Sequence, residues 1–226
     1  MTAEFLEAVR KGDAAAVERM LADDPSLAGA KDERGVSAVL LSYYYGKEDV
    51  ARLLLAHRSD LDVFEASTAG DHDRVRGLVK ADPALANAWS PDGFFPLGLA
   101  SFFKHPAVAA VLIEQGADVH MASKPAGFTP LHSAVADDAG PATKDLVRML
   151  LDAGADPNAP SATAFTPLHT AAFTGNIPVV QMLLAAGGDP HVPDNKGQTP
   201  LDVAREKQHS EVAALLHHRV TIRKRV

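Results

Sequence analysis

The chain of 226 residues contains no cysteine. That absence excludes disulfides, thiolate catalysis and zinc sites built on sulfur ligands. Aromatic residues are scarce at 6%: one Trp, three Tyr and nine Phe. No run approaches about eighteen apolar residues, so no segment is expected to span a bilayer. The start, MTAEFLEAVRKGDAAAV, has an early Glu and lacks the basic-then-apolar layout of a secretory signal. Basic residues are dispersed except at the very end, and the formal net charge is −7. That distribution argues against nucleic acid as the main partner, because phosphate binding needs concentrated Lys and Arg. What is present, 46% hydrophobic and 23% charged residues, is an ordinary globular mixture with ample core material. The expectation is a cytoplasmic protein that makes no use of a membrane.

The chain repeats itself. GFTPLHSAV begins at Gly127, AFTPLHTAA at Ala164 and GQTPLDVAR at Gly197, with a weaker copy, GFFPLGLAS, at Gly93. Between them lie VLIEQGADVH, RMLLDAGADPN and QMLLAAGGDPH, one to each copy. Thr129, Thr166 and Thr199 are placed to cap a helix, and the proline that follows each suits a first turn whose N–H would be unpaired anyway. Leu131, Leu168 and Leu201 then point inward. A second helix carries Val179, Val180, Leu183 and Leu184 at helical spacing, and Gly187 follows where a left-handed cap favours glycine. A helix pair of this size buries too little alone, so the units must stack.

The pattern resembles the ankyrin repeat: a TPLH-type opening, an apolar second helix and a GAD ending at a period near 33 residues. The resemblance is plain over about residues 93–216 and degenerate before that. It implies an all-α solenoid of about seven stacked helix pairs with short β-hairpin loops along one edge. The units fall near residues 3–32, 33–61, 62–90, 91–122, 123–159, 160–192 and 193–218, with a basic tail at 219–226. It also implies a structural role for His132 and His169, whose imidazoles hydrogen-bond locally and brace adjacent units. His120 and His191, at recurring positions, are expected to hydrogen-bond in the hairpins. The fifth unit carries four additional residues within ADDAGPAT, residues 136–143.

A second regularity lies in the first half. Residues 5–62 align with residues 63–120 without a gap, and sixteen pairs are identical, including Gly12/Gly70, Pro25/Pro83 and Gly35/Gly93. This is a duplicated two-unit block. Its second copy puts a unit without a hairpin, starting near Val63, in mid-array, where it is expected to bend the stack or widen a groove.

The resemblance further implies which positions face a concave, partner-binding surface: the residue after each hairpin glycine and the two residues before each inter-helix turn. Those fifteen positions hold eight of the thirteen aromatics, Tyr44, Tyr45, Phe94, Phe102, Phe103, Phe128, Phe165 and Phe173. Random placement gives about one. Exposed aromatics are what protein interfaces enrich. The alternative is that these rings pack on one another and fill the solenoid. Arg52, Lys104 and Asp137 are expected at the rim, and Tyr43, alone of the adjacent tyrosines, is expected to face the stack.

Other chemistry finds no constellation. His209, His217 and His218 are spaced so that three ligands do not share one helix face. Asp23, Asp24, Asp137 and Asp138 fall in turns. No Gly-rich phosphate loop, serine elbow or HExxH helix occurs. No catalytic residue, metal or cofactor is therefore expected. The reading is a non-catalytic module that grips a protein or peptide through the aromatic surface, monomeric or, by self-association through the same surface, dimeric. A small-ligand binder or enzyme using the groove near the third unit is the remote alternative.

Overall fold

The computed structural model describes residues 1–136 and 140–223, with side chains to residue 217. Asp137, Asp138, the middle of the insertion at 136–143, the His218 side chain and the side chains of the basic tail lie outside the described residues. Among the described residues fourteen α-helices pack in sequential pairs. The first pair is α1 (Thr2–Lys11) with α2 (Ala14–Asp23), and the second is α3 (Ala38–Tyr44) with α4 (Glu48–Ala56). Next come α5 (Val63–Ala69) with α6 (His72–Ala81), and α7 (Pro96–Phe102) with α8 (Pro106–Glu114). The series continues with α9 (Pro130–Val135) and α10 (Pro141–Asp152), then α11 (Pro167–Thr174) and α12 (Ile177–Ala185). It closes with α13 (Pro200–Glu206) and α14 (Ser210–Arg223). Each odd-numbered helix packs on the next odd-numbered one from α1 to α13, so the first helices of the pairs form one continuous layer. The molecule is an all-α solenoid.

Local chemistry fixes the helix starts. Ser37 accepts from the Leu40 N–H at 3.2 Å, and Thr129, Thr166 and Thr199 close reciprocal capping boxes with His132, His169 and Asp202. Pro occupies the first helical position of α7, α9, α11 and α13, as the missing N–H allows. Leu131 and Leu168 are wholly buried and Leu201 nearly so.

Five loops preceding first helices are each closed by a main-chain bond across their ends: Asp32 N to Val36 O, Ser90 N to Phe94 O, Ser123 N to Phe128 O, Ser161 N to Phe165 O and Asp194 N to Gln198 O. Neighbouring loops are stitched together by Lys124 N to Gly93 O, Ala162 N to Ala126 O and Asn195 N to Thr163 O. They are tight turns; among the described residues no strand forms, and the pairing amounts to one isolated bridge, Lys31 with Ser37. Gly127 shows why a side chain is unwelcome there. Its φ is +68°, and a Cβ would stand 2.7 Å from the Ala162 backbone nitrogen.

The offset of 58 residues recurs in the structure. The 3₁₀ turns Pro25–Gly29 and Pro83–Asn87 match, as do the N-caps Asp13 and Asp71 and the left-handed Gly12 and Gly70. Each of those glycines lies under a side chain of the next pair, Lys47 over Gly12 and His105 over Gly70, itself 58 residues on.

The buried apolar residues fall into two clusters. One spans Phe5 to Leu54 and the other Leu61 to Leu216, with the half-buried Leu55 and Phe64 touching both. The seam between them lies between the second pair and the third, after Leu54 and before Leu61. A buried ion pair reinforces it. Glu65, 1% exposed, receives Arg58 Nη2 at 3.0 Å, while Arg58 Nη1 reaches the Ala28 carbonyl at 3.3 Å. The same Glu65 carboxylate accepts the Asp62 N–H and so completes the cap of α5.

Candidate functional site

At the positions where its neighbours carry Tyr43, Tyr44, Phe102 and Phe103, the third pair has no aromatic ring. Its helix α5 ends Ser67-Thr68-Ala69, capped by Gly70, and rings from the pairs on either side meet across that gap. Phe103, at the end of α7, packs edge-on to Tyr43 with centroids 5.5 Å apart and stacks with Tyr44 at 6.2 Å and 15°. Tyr44 also reaches Phe94 at 6.0 Å, and Phe102 lies edge-on to Phe103 at 5.1 Å. Such offset and edge-on pairs contribute about 0.5–1.5 kcal/mol each beyond the area they bury.

This cluster forms one wall of an apolar cavity of about 340 Å³. Phe94 and Phe128, at the same place in successive loops, stand with Phe102, Phe103 and Tyr44 around it, over Gly98, Leu99 and Ala126. Gly98 leaves room for the buried Phe95 ring, whose nearest atom would be 3.0 Å from an added Cβ. The polar side chains in the lining are Tyr44, Ser123 and Ser133. The Tyr44 hydroxyl is buried without a hydrogen bond of good geometry; burial first, and then the Asp92 carboxylate, acting as a charge and as an acceptor, hold its pKa above the usual phenol range. On the other side of Phe103 a second, more polar hollow of about 470 Å³ is lined by Tyr43, Lys47, Glu48, Arg52 and His105.

The eight ring positions therefore divide. Tyr45 (52%), Phe102 (50%), Phe173 (48%) and Phe128 (37%) are exposed, whereas Tyr44, Phe94, Phe103 and Phe165 are half-buried. Phe128 stacks on His132 at 5.5 Å and Phe165 on His169 at 4.8 Å. Lys207 Nζ sits 4.5 Å over the Phe173 ring. The cavity gathers Tyr44, Phe94, Phe102, Phe103 and Phe128; Tyr45, Phe165 and Phe173 are not among its lining residues. Tyr43 is half-buried, its ring turned to Phe103 rather than fully enclosed in the stack.

The histidines beneath the loop rings are braces. His132 Nδ1 accepts from the Thr129 N–H at 3.2 Å, and Nε2 lies 2.9 Å from the Phe165 carbonyl. A carbonyl only accepts, so Nε2 carries the proton. His169 repeats the arrangement, with Thr166 N at 3.1 Å and the Gln198 carbonyl at 3.0 Å. Burial pushes His132 down to about 4 and lowers His169 as well. Both are neutral parts of the frame, each joining its own unit to the loop of the next.

The family model for ankyrin repeats in three copies matches residues 63–161 and 140–225. The chain belongs to the ankyrin repeat family. It is 36% identical over 109 residues to neurogenic locus notch homolog protein 1 of Mus musculus and of Homo sapiens, covering 42% of this chain and 4% of theirs. It is 32% identical over 95 residues to mouse ankyrin repeat and SAM domain-containing protein 6, covering 42% of this chain and 10% of that one. The chain thus corresponds to a small part of either relative. Ankyrin repeats generally mediate protein–protein interaction and are typically non-enzymatic.

Several residues of this ankyrin array escape a reading of the sequence. Trp89, 39% exposed, packs edge-on against Phe95 and carries Lys124 Nζ 4.6 Å above its ring. Asn87 and Asn158 each bridge to the next unit, giving Nδ2 to the carbonyl of Gly116 or Gly187 and accepting the N–H of Asp118 or Asp189. At His120 and His191 it is the backbone N–H that bonds, to Asp118 and Asp189. Of the rim charges, Lys104 gives Nζ to the Ser133 and Ala134 carbonyls, and Arg52 pairs with Asp49. His209 gives its ring to the Phe173 carbonyl, as His105 does to Thr68. Among the described residues no group of three His, Asp or Glu is arranged to hold a metal, and no helix is long and apolar enough to cross a membrane.

Proposed function

We propose that this ankyrin repeat protein is a non-catalytic interaction module that holds a protein or peptide at the aromatic cavity between the loops and α7. The observation that carries the reading is the cavity itself. Five rings surround about 340 Å³ of apolar space, and two of them, Phe102 and Phe128, stand exposed beside it. Interfaces concentrate their binding energy in aromatic anchors around such a pocket, and monomers keep few such rings uncovered. Phe102 and Phe128 supply the contact area, while Tyr44, Phe94 and Phe103 hold the pocket open from below. Tyr45, Phe165 and Phe173 extend the same surface along the row. The reading takes residues 1–218 as one domain of seven units working in a cytoplasm, with a protein rather than nucleic acid or membrane as the partner.

The test is site-specific crosslinking. A photoreactive phenylalanine analogue placed at Phe102 should capture a discrete partner from cells, and the same analogue at the exposed Ala110 of α8 should not. Equal capture at both positions overturns the reading. Light scattering over a range of concentrations separates a hetero-partner from self-association, since a monomer throughout leaves no role for a second copy.

A further inference from the structure

A helix leaves its last carbonyls without partners, and the chain beyond commonly folds back to meet one of them. First helices of this array end that way: Asp13 N gives to Ala8 O, Lys47 N to Ser42 O, Asp71 N to Ala66 O, His105 N to Ala100 O, Asn176 N to Ala171 O and His209 N to Ala204 O. In the fifth unit the insertion at 136–143 stands where that short turn is expected. Its first helix, α9, runs for six residues, and the residue after it, Ala136, keeps a right-handed φ of −67°. The matching carbonyl is that of Ala134, placed after Pro130 as Ala100, Ala171 and Ala204 are placed after Pro96, Pro167 and Pro200. It is reached from the unit before: Lys104 Nζ lies 3.0 Å from the Ala134 carbonyl and 3.1 Å from that of Ser133. A cation at the end of a helix is favoured by the partial charge of those carbonyls.

Lys104 occupies a place where a side chain is costly. Its φ is +62°, and at the same turn other units carry left-handed glycines, Gly12, Gly46, Gly70 and Gly175. Gln208, in the last pair, is the other residue with a side chain at that turn, and it is exposed. Lys104 also joins the two walls of the aromatic cavity. It follows directly on Phe102 and Phe103, while Ser133 lines the opposite wall and Phe128 stacks on His132 of the same α9.

We propose that Lys104 is a clasp between the fourth and fifth units. Its ammonium does for α9 what a backbone N–H does for the other first helices, and so fixes the spacing between the Phe102–Phe103 wall and the wall that carries Phe128 and Ser133. Lys104 is a positioning residue, acting on an occupant only through those walls. Its bearing on a partner rests on the reading of the cavity as an interaction site, whereas the clasp itself does not.

The experiment compares three variants of the isotope-labelled full chain. Lys104→Met keeps the stem and the left-handed backbone and removes the ammonium, Lys104→Arg keeps a cation, and Gln208→Met makes a comparable change at the matching exposed turn. Lys104→Met should speed amide exchange at Ser133 and Ala136 by about tenfold or more, the worth of a hydrogen bond to a charged group. Exchange in α3 and α12 should not change, and the ring resonances of Phe102 and Phe128 should both move. Lys104→Arg should stay close to wild type, and Gln208→Met should leave α9 as it was. Unchanged exchange in Lys104→Met, or equal acceleration along the whole array, overturns the clasp. Faster exchange in α9 with both rings unmoved overturns its hold on the cavity. Crosslinking at Phe102 then separates clasp from site. Equal capture of a partner by wild type and Lys104→Met, with α9 loosened, overturns the clasp's bearing on the partner; no specific capture by wild type overturns the interaction site and leaves the clasp standing.

Discussion

Acid should loosen the array through His132, and the size of the effect follows from its surroundings. The imidazole is 1% exposed, accepts from the Thr129 N–H on one side and bonds the Phe165 carbonyl on the other. Protonation at Nδ1 sets a second proton against the Thr129 donor and places a charge where no water reaches. Its folded pKa is about 4, against 6.5 for the ordinary group. The unfolded chain therefore binds the proton first as pH falls, and stability is lost below about 6.5 until the folded form also titrates near 4. With those two values the loss at pH ~5 is about 2 kcal/mol, and the full loss below pH ~4 about 3 kcal/mol. His132→Gln isolates this contribution, because glutamine accepts from a capping N–H and gains no proton in this range. The variant gives up the bond to Phe165, about 1 kcal/mol at neutral pH. Urea unfolding followed by circular dichroism, at pH ~7.5 and ~5, gives four free energies. The gap between wild type and variant should shrink or reverse by about 2 kcal/mol in acid. His169 and His105, also lowered by burial, and the carboxylates are common to both proteins and cancel. Parallel pH profiles for the two proteins would refute the reasoning.

Three further outcomes separate frame from surface. Phe103→Ala removes the ring that touches Tyr43, Tyr44 and Phe102 and should cost about 2–3 kcal/mol, while Phe102→Ala, half exposed, should cost under about 1; chemical denaturation distinguishes them. Glu65→Ala leaves Arg58 charged, 12% exposed and without its buried partner, and should cost about 3 kcal/mol or more, read as a drop in melting temperature. Gly127→Ala forces a Cβ against the Ala162 nitrogen in a left-handed backbone and should destabilise by about 2 kcal/mol or more; an equal or higher melting temperature would contradict the loop geometry.

Much of the frame was legible because its causes are local. The Thr-Pro-Leu-His sequence writes a cap, a helix start, an inward leucine and a bracing imidazole into adjacent residues, and each is found where its chemistry places it. The ring positions came from the family resemblance, and four of the eight, Phe102, Phe128, Tyr45 and Phe173, are exposed. What escaped depends on pieces distant in the chain. Phe103 meets Tyr43 across a unit whose α5 ends in Ala69, capped by Gly70, with no ring of its own at that place. That rings of the flanking units pack on one another was an alternative in the sequence; the part taken by Tyr43, which was expected to face the stack, was not. Arg58 and Glu65 look like two surface charges in sequence, and their burial follows from Arg58 reaching back to Ala28. The asparagine bridges were hidden for the opposite reason: Asn87 and Asn158 sit in unlike local sequences, and only the stacking shows that they do one job.

The contact of Phe103 with Tyr43 and Tyr44 has a bearing on how the molecule comes apart. A stack whose units touch only their neighbours behaves as a one-dimensional chain, free to fray from either end one unit at a time. Here the second and fourth pairs touch directly, over the head of the third, at the place where the buried core is divided. Melting the third pair alone would strand those rings, and melting the first two would uncover them. Opening at the division must therefore break contacts of two orders at once, so a sequence of small steps becomes a single larger one there. A segment lodged against Tyr44 and Phe102 would press on that same joint and would be felt as cooperativity along the whole array rather than as a local tightening.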